Sequence, residues 1–157
     1  MGSGKTTIGR LLAARLGFDF VDSDDEIESR ASLKVSDIFR IHGEAHFREL
    51  EESVITELLR GDSRVIATGG GAFARGPSAD ALLARSFTVH LSCDFKEAFR
   101  RAAAEGGRPL VEQGETGAAS LYAERKDKYS RAHAAVDTTR LSPEEVVESV
   151  LRLLPHP

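Results

Sequence analysis

The first residues of the chain have types and spacing that could bind the phosphates of a nucleotide. They combine glycines, hydroxyl side chains and one lysine ahead of an amphipathic segment, and they are Gly2, Ser3, Gly4, Lys5, Thr6 and Thr7. In such a loop the backbone N–H groups surround phosphate oxygens, the lysine reaches the outer phosphates and the next hydroxyl binds Mg²⁺. A helix that begins at Lys5 also points the positive end of its dipole at the phosphates. The pattern therefore predicts a P-loop that binds a nucleotide together with Mg²⁺.

The front of this pattern is missing from the sequence. A full P-loop has another glycine five positions before Gly4, which would lie upstream of Met1, and a buried strand before that glycine. In a doubly wound domain that strand is central, so its absence would leave backbone groups of neighbouring strands without partners. We therefore expect an N-terminal truncation, with the natural start about ten residues upstream.

Two carboxylates follow a short apolar run at 18–21 that is typical of a strand. Asp22 and Asp24 are two positions apart, so their side chains leave the strand end on the same face. Ligands bind beyond the C-terminal ends of strands in open α/β sheets, so one carboxylate could lie near a metal and the other near an acceptor hydroxyl. The alternative is that these acidic residues only stabilise the start of the next helix, where negative charge is favourable.

Two arginines could bind an anion. Arg48 has acidic residues at helical spacing on both sides, Glu51 among them, so an ordinary surface ion-pair network is the alternative. Arg125 is flanked by Tyr122 and Tyr129 at helical spacing, and an arginine on a buried stripe needs an anionic partner. A surface arginine that reaches past the apolar stripe into water is the alternative there.

Two glycine-rich segments could shape a binding site. Gly69, Gly70 and Gly71 follow a predicted strand at 65–67, and such a run lets a substrate approach the backbone closely, although a simple turn would use the same residues. The second segment, at 105–117, contains Arg108 and several glycines. We predict that it is a mobile loop.

Strands alternate with helices along the whole chain, which predicts an α/β domain with a parallel sheet. We expect a single domain over residues 1–157. The predicted strands are 18–21, 65–67, 87–91 and 135–138. The predicted helices are 5–16, 36–41, 44–60, one starting at Pro77, 94–104, 118–133 and one capped by Ser142 with Glu145.

Composition limits the classes of function. A chain of 157 residues fits one domain, and its net charge of -4 argues against a general nucleic-acid binder. No apolar run reaches the roughly 20 residues that span a bilayer, and no signal-peptide pattern precedes the P-loop. Cys93 is the only cysteine, and the pair His42 and His46 lacks a third metal ligand. We expect a cytoplasmic monomer with no nucleic-acid or membrane partner.

The ordered set of motifs resembles the shikimate kinase family across nearly the whole chain. In this sequence the motifs are GSGKTT at 2–7, DSD at 22–24, GE at 43–44 with FR at 47–48 and Glu51, GGG at 69–71, RPL at 108–110, and Arg125 four residues before Tyr129. The resemblance implies a three-layer P-loop NTPase-like fold with a central parallel sheet, whose first strand this chain lacks. It also implies ATP-dependent phosphorylation of the 3-hydroxyl of shikimate, in aromatic amino acid (chorismate) biosynthesis.

The resemblance implies roles for the residues that would contact the acid. Arg48 and Arg125 would bind the carboxylate of shikimate, and Glu51 would orient Arg48. Asp24 would hold the acceptor hydroxyl and take its proton, and the N–H of Gly70 in the 69–71 segment would touch the substrate.

The resemblance likewise implies roles at the nucleotide. Lys5 and the loop amides would bind the phosphates, Thr6 would bind Mg²⁺ and Asp22 would contribute to the metal shell through water. Arg108, on a lid, would neutralise charge on the transferred phosphoryl group. Two further arginines would contact the adenine end: Arg101 and Arg140.

Two other functions stay open from the residues. One is another small-molecule P-loop kinase, such as a gluconate kinase, whose substrate would not need two inward arginines. The other is a nucleotide-binding relative without catalysis, which the missing first strand keeps open. A substrate panel and an ADP-release assay with and without shikimate separate these readings.

Overall fold

A computed structural model describes residues 2–74, 76–105 and 114–155. The helices are α1 (Lys5–Leu16), α2 (Ser23–Ala31), α3 (Val35–Leu58), α4 (Pro77–Arg85), α5 (Phe95–Glu105), α6 (Gly114–Tyr129) and α7 (Pro143–Leu153). The strands are β1 (Asp19–Asp22), β2 (Arg64–Ala67), β3 (Val89–Ser92) and β4 (Ala134–Asp137). Helices and strands alternate as predicted, and the α/β class is confirmed. Within these ranges no helix is both long and apolar enough to cross a membrane.

The strands of the described residues pair in parallel, as predicted, but they form two sheets of two strands each. β1 pairs with β2, and β3 pairs with β4. The chain divides into two compact units, each of which contains one of these pairs. One unit runs over Leu12–Ser86, and the other combines the described residues before and after it.

One core cluster of the Leu12–Ser86 unit comes from the apolar faces of α2 and α3. Ile27, Ile38 and Val54 have no exposed surface, and Phe47 and Leu58 pack with them. Burying one such side chain stabilises the fold by about 1.5–3 kcal/mol. This packing fixes α2 and α3 relative to each other, and both helices carry candidate site residues.

Two separate helices were predicted on either side of Gly43, and the structure has one segment with a break. Gly43 has φ 83° and ψ 173°, a left-handed backbone conformation that favours glycine, while the flanking residues are helical. The predicted interruption is therefore present, but it is a kink inside α3. The segment before the kink carries Phe39, and the segment after it carries Arg48.

The other unit contains the best-capped helix of the described chain. At the start of α7 the Ser142 hydroxyl accepts a hydrogen bond from the Glu145 backbone N–H, and the Glu145 carboxylate accepts one from the Ser142 N–H. This capping box is the one predicted from the sequence. A second predicted box, between Asp94 and Glu97, is only half formed. Asp94 accepts from the Glu97 N–H at 3.4 Å, but the Glu97 carboxylate binds arginines instead.

The helix predicted over 118–133 lies about four residues earlier. It begins at Gly114 and ends at Tyr129, so the end of the predicted 105–117 loop is helical, and Glu105 ends α5. Glycine disfavours helix by about 1 kcal/mol relative to alanine, which is why Gly114 and Gly117 indicated a loop. The low helix propensity of these two glycines therefore does not prevent the helix from including them.

Candidate active site

Parallel pairing of β1 and β2 brings the two segments that follow these strands together at one end of their sheet. Asp22, the last residue of β1, is in register with Ala67, the last residue of β2. The chain then continues into α2 on one side and into the 69–71 segment on the other. The Gly69 N–H donates to the hydroxyl of fully buried Ser23 at 3.1 Å, which ties the two segments together.

Asp22 caps α2. Its Oδ1 accepts a hydrogen bond from the backbone N–H of Asp24 at 3.1 Å, which satisfies one of the donors that helix starts leave without a partner. Asp22 therefore stabilises the helix start, as the alternative interpretation expects, and its predicted place in the metal shell stays a prediction. A carboxylate accepts several hydrogen bonds, so capping does not exclude a second use.

The carboxylate of Asp24 lies directly over Gly69. A Cβ atom built on Gly69 would come within 2.6 Å of Asp24 Oδ1, well inside ordinary contact distance. The side chain is half-buried. The sequence predicts that the glycine run lets a substrate approach the backbone closely. In the structure Gly69 already accommodates the close approach of this carboxylate.

Arg48 is held by two carboxylates from its own helix. Its Nη1 donates to Glu51 at 2.6 Å, and its Nε and Nη2 donate to Glu44 at 3.4 and 3.2 Å. Glu51 is only 3% exposed, whereas the Glu44 side chain is 53% exposed, so one half of this network is buried and the other half lies at the surface, as the alternative expects. Burial lowers the pKa of Arg48, but the bonds and charges of Glu51 and Glu44 outweigh it and the pKa is raised. The guanidinium therefore stays charged.

The guanidinium of Arg48 also lies against Gly71 and two aromatic rings. A Cβ atom on Gly71 would come within 2.8 Å of Nη2 and 2.9 Å of Cζ, and nearer still to Nη1. The Arg48 Cζ is 5.1 Å from the ring centroid of Phe47 and 5.9 Å from that of Phe39. These contacts fix the orientation of a cation on a half-buried surface.

The P-loop residues in the other unit have the backbone that the pattern predicts. Gly2 and Gly4 have φ of 60° and 80°, and α1 begins directly after them, with the Ile8 N–H bonded to the Gly4 carbonyl at 2.9 Å. A Cβ atom on Gly2 would come within 2.9 Å of the backbone of Ala98 in α5. Only glycine fits there, because both the space and the φ value exclude a side chain.

The side chains of the P-loop differ in exposure. Ser3 is buried, Lys5 is half-buried, and Thr6 and Thr7 are exposed. The start of α1 therefore presents N–H groups and hydroxyls of the kind that bind phosphate and Mg²⁺.

Arg101 holds α5 to the segment that follows β4. Its Nε donates to Glu97 at 2.8 Å, and its Nη2 donates to the carbonyls of Thr138 and Thr139 at 3.1 and 3.2 Å. Arg140 follows directly and is exposed. Hydrogen bonds from Arg100 and Arg101 lower the pKa of Glu97 to about 2. Arg101 therefore has a structural role, and its predicted contact with adenine stays a prediction.

Arg125 is half-buried on α6, four residues before Tyr129. Burial raises the pKa of the Tyr129 hydroxyl, and the charge and hydrogen bond of Arg125 oppose that rise. The Tyr129 ring lies 4.8 Å from the ring of His90 on β3, centroid to centroid. Tyr122 differs, because its hydroxyl donates to the Cys93 carbonyl at 2.6 Å. Both tyrosines flank the arginine at helical spacing, as predicted.

The sequence matches the family model described as "Shikimate kinase" over residues 1–155. The chain belongs to the shikimate kinase family. A shikimate kinase of Chromohalobacter salexigens is 43% identical over 155 residues, which cover 97% of this chain and 86% of the relative. A shikimate kinase of Persephonella marina is 36% identical, with 96% and 92% covered.

Solved structures agree with this assignment. The shikimate kinase from Acinetobacter baumannii in complex with shikimate has a TM-score of 0.91 at 36% identity, covering 98% of this chain and 87% of that one. The shikimate kinase of Aquifex aeolicus has a TM-score of 0.82 at 36% identity, covering 97% and 89%. The predicted P-loop NTPase-like α/β fold is therefore confirmed.

Some residues of this shikimate kinase family member stand outside these observations. Arg108 lies outside the described residues, as do Gly106 and Gly107, so the lid stays a prediction. The rings of His42 and His46 lie 5.0 Å apart between centroids, tilted by 51°. Across the described ranges, no group of three or more His, Cys, Asp or Glu residues could hold a metal.

Sequence reasoning missed the two aromatic neighbours of Arg48. The Phe39 and Phe47 rings lie 4.5 Å apart, across the kink at Gly43, and Phe39 is 37% exposed. The signal in the sequence is an aromatic residue just before the predicted helix break and a second one next to the candidate arginine. A bend at the break can bring the two rings together beside the guanidinium.

Proposed function

We propose that this chain is a shikimate kinase, which transfers the γ-phosphoryl group of ATP to the 3-hydroxyl of shikimate and releases ADP. One observation carries the proposal: Arg48 is held by Glu51 and Glu44 against Gly71, while Asp24 lies over neighbouring Gly69. A fixed guanidinium and a carboxylate at one glycine segment suit a substrate that has both a carboxylate and a hydroxyl.

This arrangement indicates which residues bind the carboxylate of shikimate. Arg48 is the first of them, because a guanidinium can bind both carboxylate oxygens at once and a lysine cannot. Glu51 orients it from a buried position. Arg125 is the second cation for the same carboxylate, and the N–H of Gly70 is a donor to the substrate.

Asp24 is the group for the acceptor hydroxyl. As the shikimate oxygen forms its bond to the γ-phosphorus, the bond from that phosphorus to the β-phosphate oxygen breaks. The hydroxyl proton passes to Asp24, whose carboxylate is the general base. Arg108 is the proposed cation for charge on the transferred group.

The nucleotide side rests on the P-loop. The backbone of residues 2–7 and Lys5 bind the phosphates of ATP, and Arg101 and Arg140 contact the adenine end. Thr6 and Asp22 would hold Mg²⁺ with the hard oxygen atoms that this ion prefers, Asp22 through water. The bound ion would neutralise phosphate charge.

An ADP-release assay with and without shikimate tests the proposal. We expect ADP release that depends on shikimate and is absent with gluconate. Release with gluconate would favour another small-molecule kinase, and no release with any acid would leave a non-catalytic relative.

Matched variants test the roles. Lys5→Ala and Asp24→Asn should lower turnover by at least about 10²-fold with little change in thermal midpoint, whereas Asp25→Asn, at an exposed neighbour, should leave turnover unchanged. Arg48→Ala should chiefly weaken shikimate binding, whereas Arg40→Ala, which removes an exposed pair with Asp37, should not. Equal activity in the Asp24 variant, or equal affinity in the Arg48 variant, would refute the assigned role.

A cytoplasmic monomer stays our expectation, and light scattering checks the oligomeric state.

A further inference from the structure

A carboxylate on α5 holds one of the arginines proposed for the adenine end of ATP. Glu97 accepts a hydrogen bond from Arg101 Nε at 2.8 Å, from one helical turn further along. The same carboxylate accepts two hydrogen bonds from Arg100, at 2.7 and 2.8 Å. These bonds lower the pKa of Glu97 to about 2, so the carboxylate is ionised at neutral pH. Hydrogen bonds between charged groups are about twice as strong as neutral ones, so Arg101 is firmly held at this end.

The other end of the Arg101 guanidinium is bound to backbone. Its Nη2 donates to the carbonyls of Thr138 and Thr139 at 3.1 and 3.2 Å. Carbonyl oxygens accept hydrogen bonds but carry no net charge, so among these three partners the negative charge comes from Glu97. The Arg101 side chain is 27% exposed, and a cation that is partly removed from water needs such a partner. Glu97 therefore determines both the charge balance and the orientation of this arginine.

The segment that follows β4 is attached to the sheet by other bonds as well. Thr138 is almost fully buried, and its backbone N–H and its hydroxyl both donate to the Ser92 carbonyl, at 2.8 and 3.0 Å. The Thr139 hydroxyl accepts a hydrogen bond from the Asp94 N–H at 2.9 Å. None of these bonds involves the Glu97 carboxylate. Removing that carboxylate should therefore leave the segment in place and release the guanidinium that it holds.

The helix α5 also supports the phosphate-binding loop. Gly2 lies so close to the backbone of Ala98 that a Cβ atom would not fit between them. Ser92 and Asp137, the last residues of β3 and β4, are in register. The chain segments that follow these strands therefore leave the same edge of the sheet, which is the edge where ligands bind in parallel α/β sheets. One helix thus contacts the loop proposed for the phosphates and, through Arg101, the segment proposed for the adenine end.

We infer that Glu97 is a positioning residue, which holds the Arg101 guanidinium in the orientation that contacts the adenine end of ATP. This inference rests on the proposed function. A side chain that is already fixed when the nucleotide arrives loses less rotamer entropy on binding. Glu97 touches neither the nucleotide nor the reacting atoms in this account, and its whole effect passes through Arg101.

The neighbouring arginine supplies a matched control. Arg100 donates to the same carboxylate, but its side chain is 69% exposed, and the two hydrogen bonds that it makes within the described residues both go to Glu97. Arg100→Ala and Arg101→Ala remove the same charge at adjacent positions. Arg100→Ala leaves the bond between Glu97 and Arg101 in place, so the two variants should give different results.

The first measurement combines ATP titration calorimetry with steady-state kinetics. Glu97→Gln keeps the size of the side chain and removes its charge. It should weaken ATP binding and raise the KM for ATP by about fivefold, with kcat and the KM for shikimate within twofold of the parent. Arg101→Ala should weaken ATP binding at least as much, and Arg100→Ala should leave all three parameters within twofold.

A double-mutant cycle tests whether Glu97 acts through Arg101. Adding Glu97→Gln to Arg101→Ala should change ATP affinity by less than twofold, because the two residues act as one unit. An undiminished effect of Glu97→Gln in that background would overturn the inference. So would ATP affinity within twofold of the parent in the single Glu97→Gln variant, an equal rise of both KM values, or an equal effect of Arg100→Ala.

The second measurement observes the pair without catalysis. In a ¹⁵N NMR spectrum the Nε–H signal of Arg101 is assigned by its loss in Arg101→Ala. The hydrogen bond to Glu97 slows exchange of this proton with water, so Glu97→Ala should accelerate the exchange by about tenfold or more, and Arg100→Ala should leave it within twofold. Unchanged exchange in Glu97→Ala would overturn the pairing. If the parent binds no ATP while this exchange still responds, the proposed function fails and the nucleotide-orienting role fails with it, but the contact stands.

Discussion

Replacing Gly71 with alanine should damage binding of the acid far more than it damages the fold. Gly71 does not have a positive φ, so alanine fits the backbone. The added methyl group, however, would lie 2.9 Å from Arg48 Cζ and 2.8 Å from Nη2, where ordinary contacts begin at 3.4 Å. The guanidinium must therefore move by about 0.5–1 Å, and its bond to Glu51 at 2.6 Å cannot survive that movement unchanged.

The size of the effect follows from that displacement. A misplacement of about 1 Å at a binding group can cost about 10²-fold in rate, which is about 2.7 kcal/mol of transition-state stabilisation. We expect kcat/KM for shikimate to fall by that order while the KM for ATP stays within twofold. The free energy of unfolding should change by less than about 1 kcal/mol, because the end of an arginine side chain moves more easily than backbone.

A double-mutant cycle makes the test decisive. The ADP-release assay is run on the parent, Gly71→Ala, Arg48→Ala and the double variant. If the methyl group acts by displacing Arg48, it should add little once Arg48 is already alanine, so the two effects should be strongly non-additive. Full activity in Gly71→Ala would refute the reasoning, and so would an equal loss in the Arg48→Ala background.

Three further predictions concern stability. Burial lowers the pKa of His90 below its ordinary value of 6.5, so His90 binds a proton more readily in the unfolded chain than in the folded one. The contribution of His90 to the free energy of unfolding is therefore fully present above pH 6.5 and is lost as the pH falls below that value. His90→Phe should reduce this pH dependence in thermal melts from about pH 7.5 to 5.5. Ser142→Ala breaks the capping box of α7 and should lower the thermal midpoint by about 2–4 °C, the equivalent of about 1 kcal/mol; an unchanged midpoint would contradict it. Ile27→Ala should cost about 2–5 kcal/mol in denaturant unfolding because Ile27 is fully buried, whereas Ile41→Ala, at a residue 52% exposed, should cost less than about 0.5 kcal/mol.

The features that could be predicted from the sequence are those that depend on residues close together in the chain. The P-loop is one example, since the glycine positions and the helix start at Lys5 are set within a few residues. The Ser142 capping box is another. The break at Gly43 was also predicted, because glycine in a helical pattern indicates one.

The features that could not be predicted depend on residues far apart in the chain. A glycine run indicates close approach but does not say by which group, and the groups at Gly69 and Gly71 are Asp24 and Arg48. The alternation of strands and helices predicts parallel strands, but short apolar runs do not specify that β1 pairs with β2 or in which register. Tyr129 illustrates the same limit, since its spacing predicts the neighbour Arg125 on its own helix but not His90 on a strand.

The cap that Asp22 provides for α2 has a consequence for how related sequences should be read. The carboxylate stabilises the helix start whether or not any phosphate is transferred, and replacing such a cap by alanine typically costs about 1 kcal/mol. Selection for a folded chain alone would therefore retain an aspartate at this position in a lineage that had lost catalysis. Its presence reports on folding as much as on activity. A degenerate copy is better recognised by loss of Asp24 or Arg48, since α2 and α3 would form without either side chain.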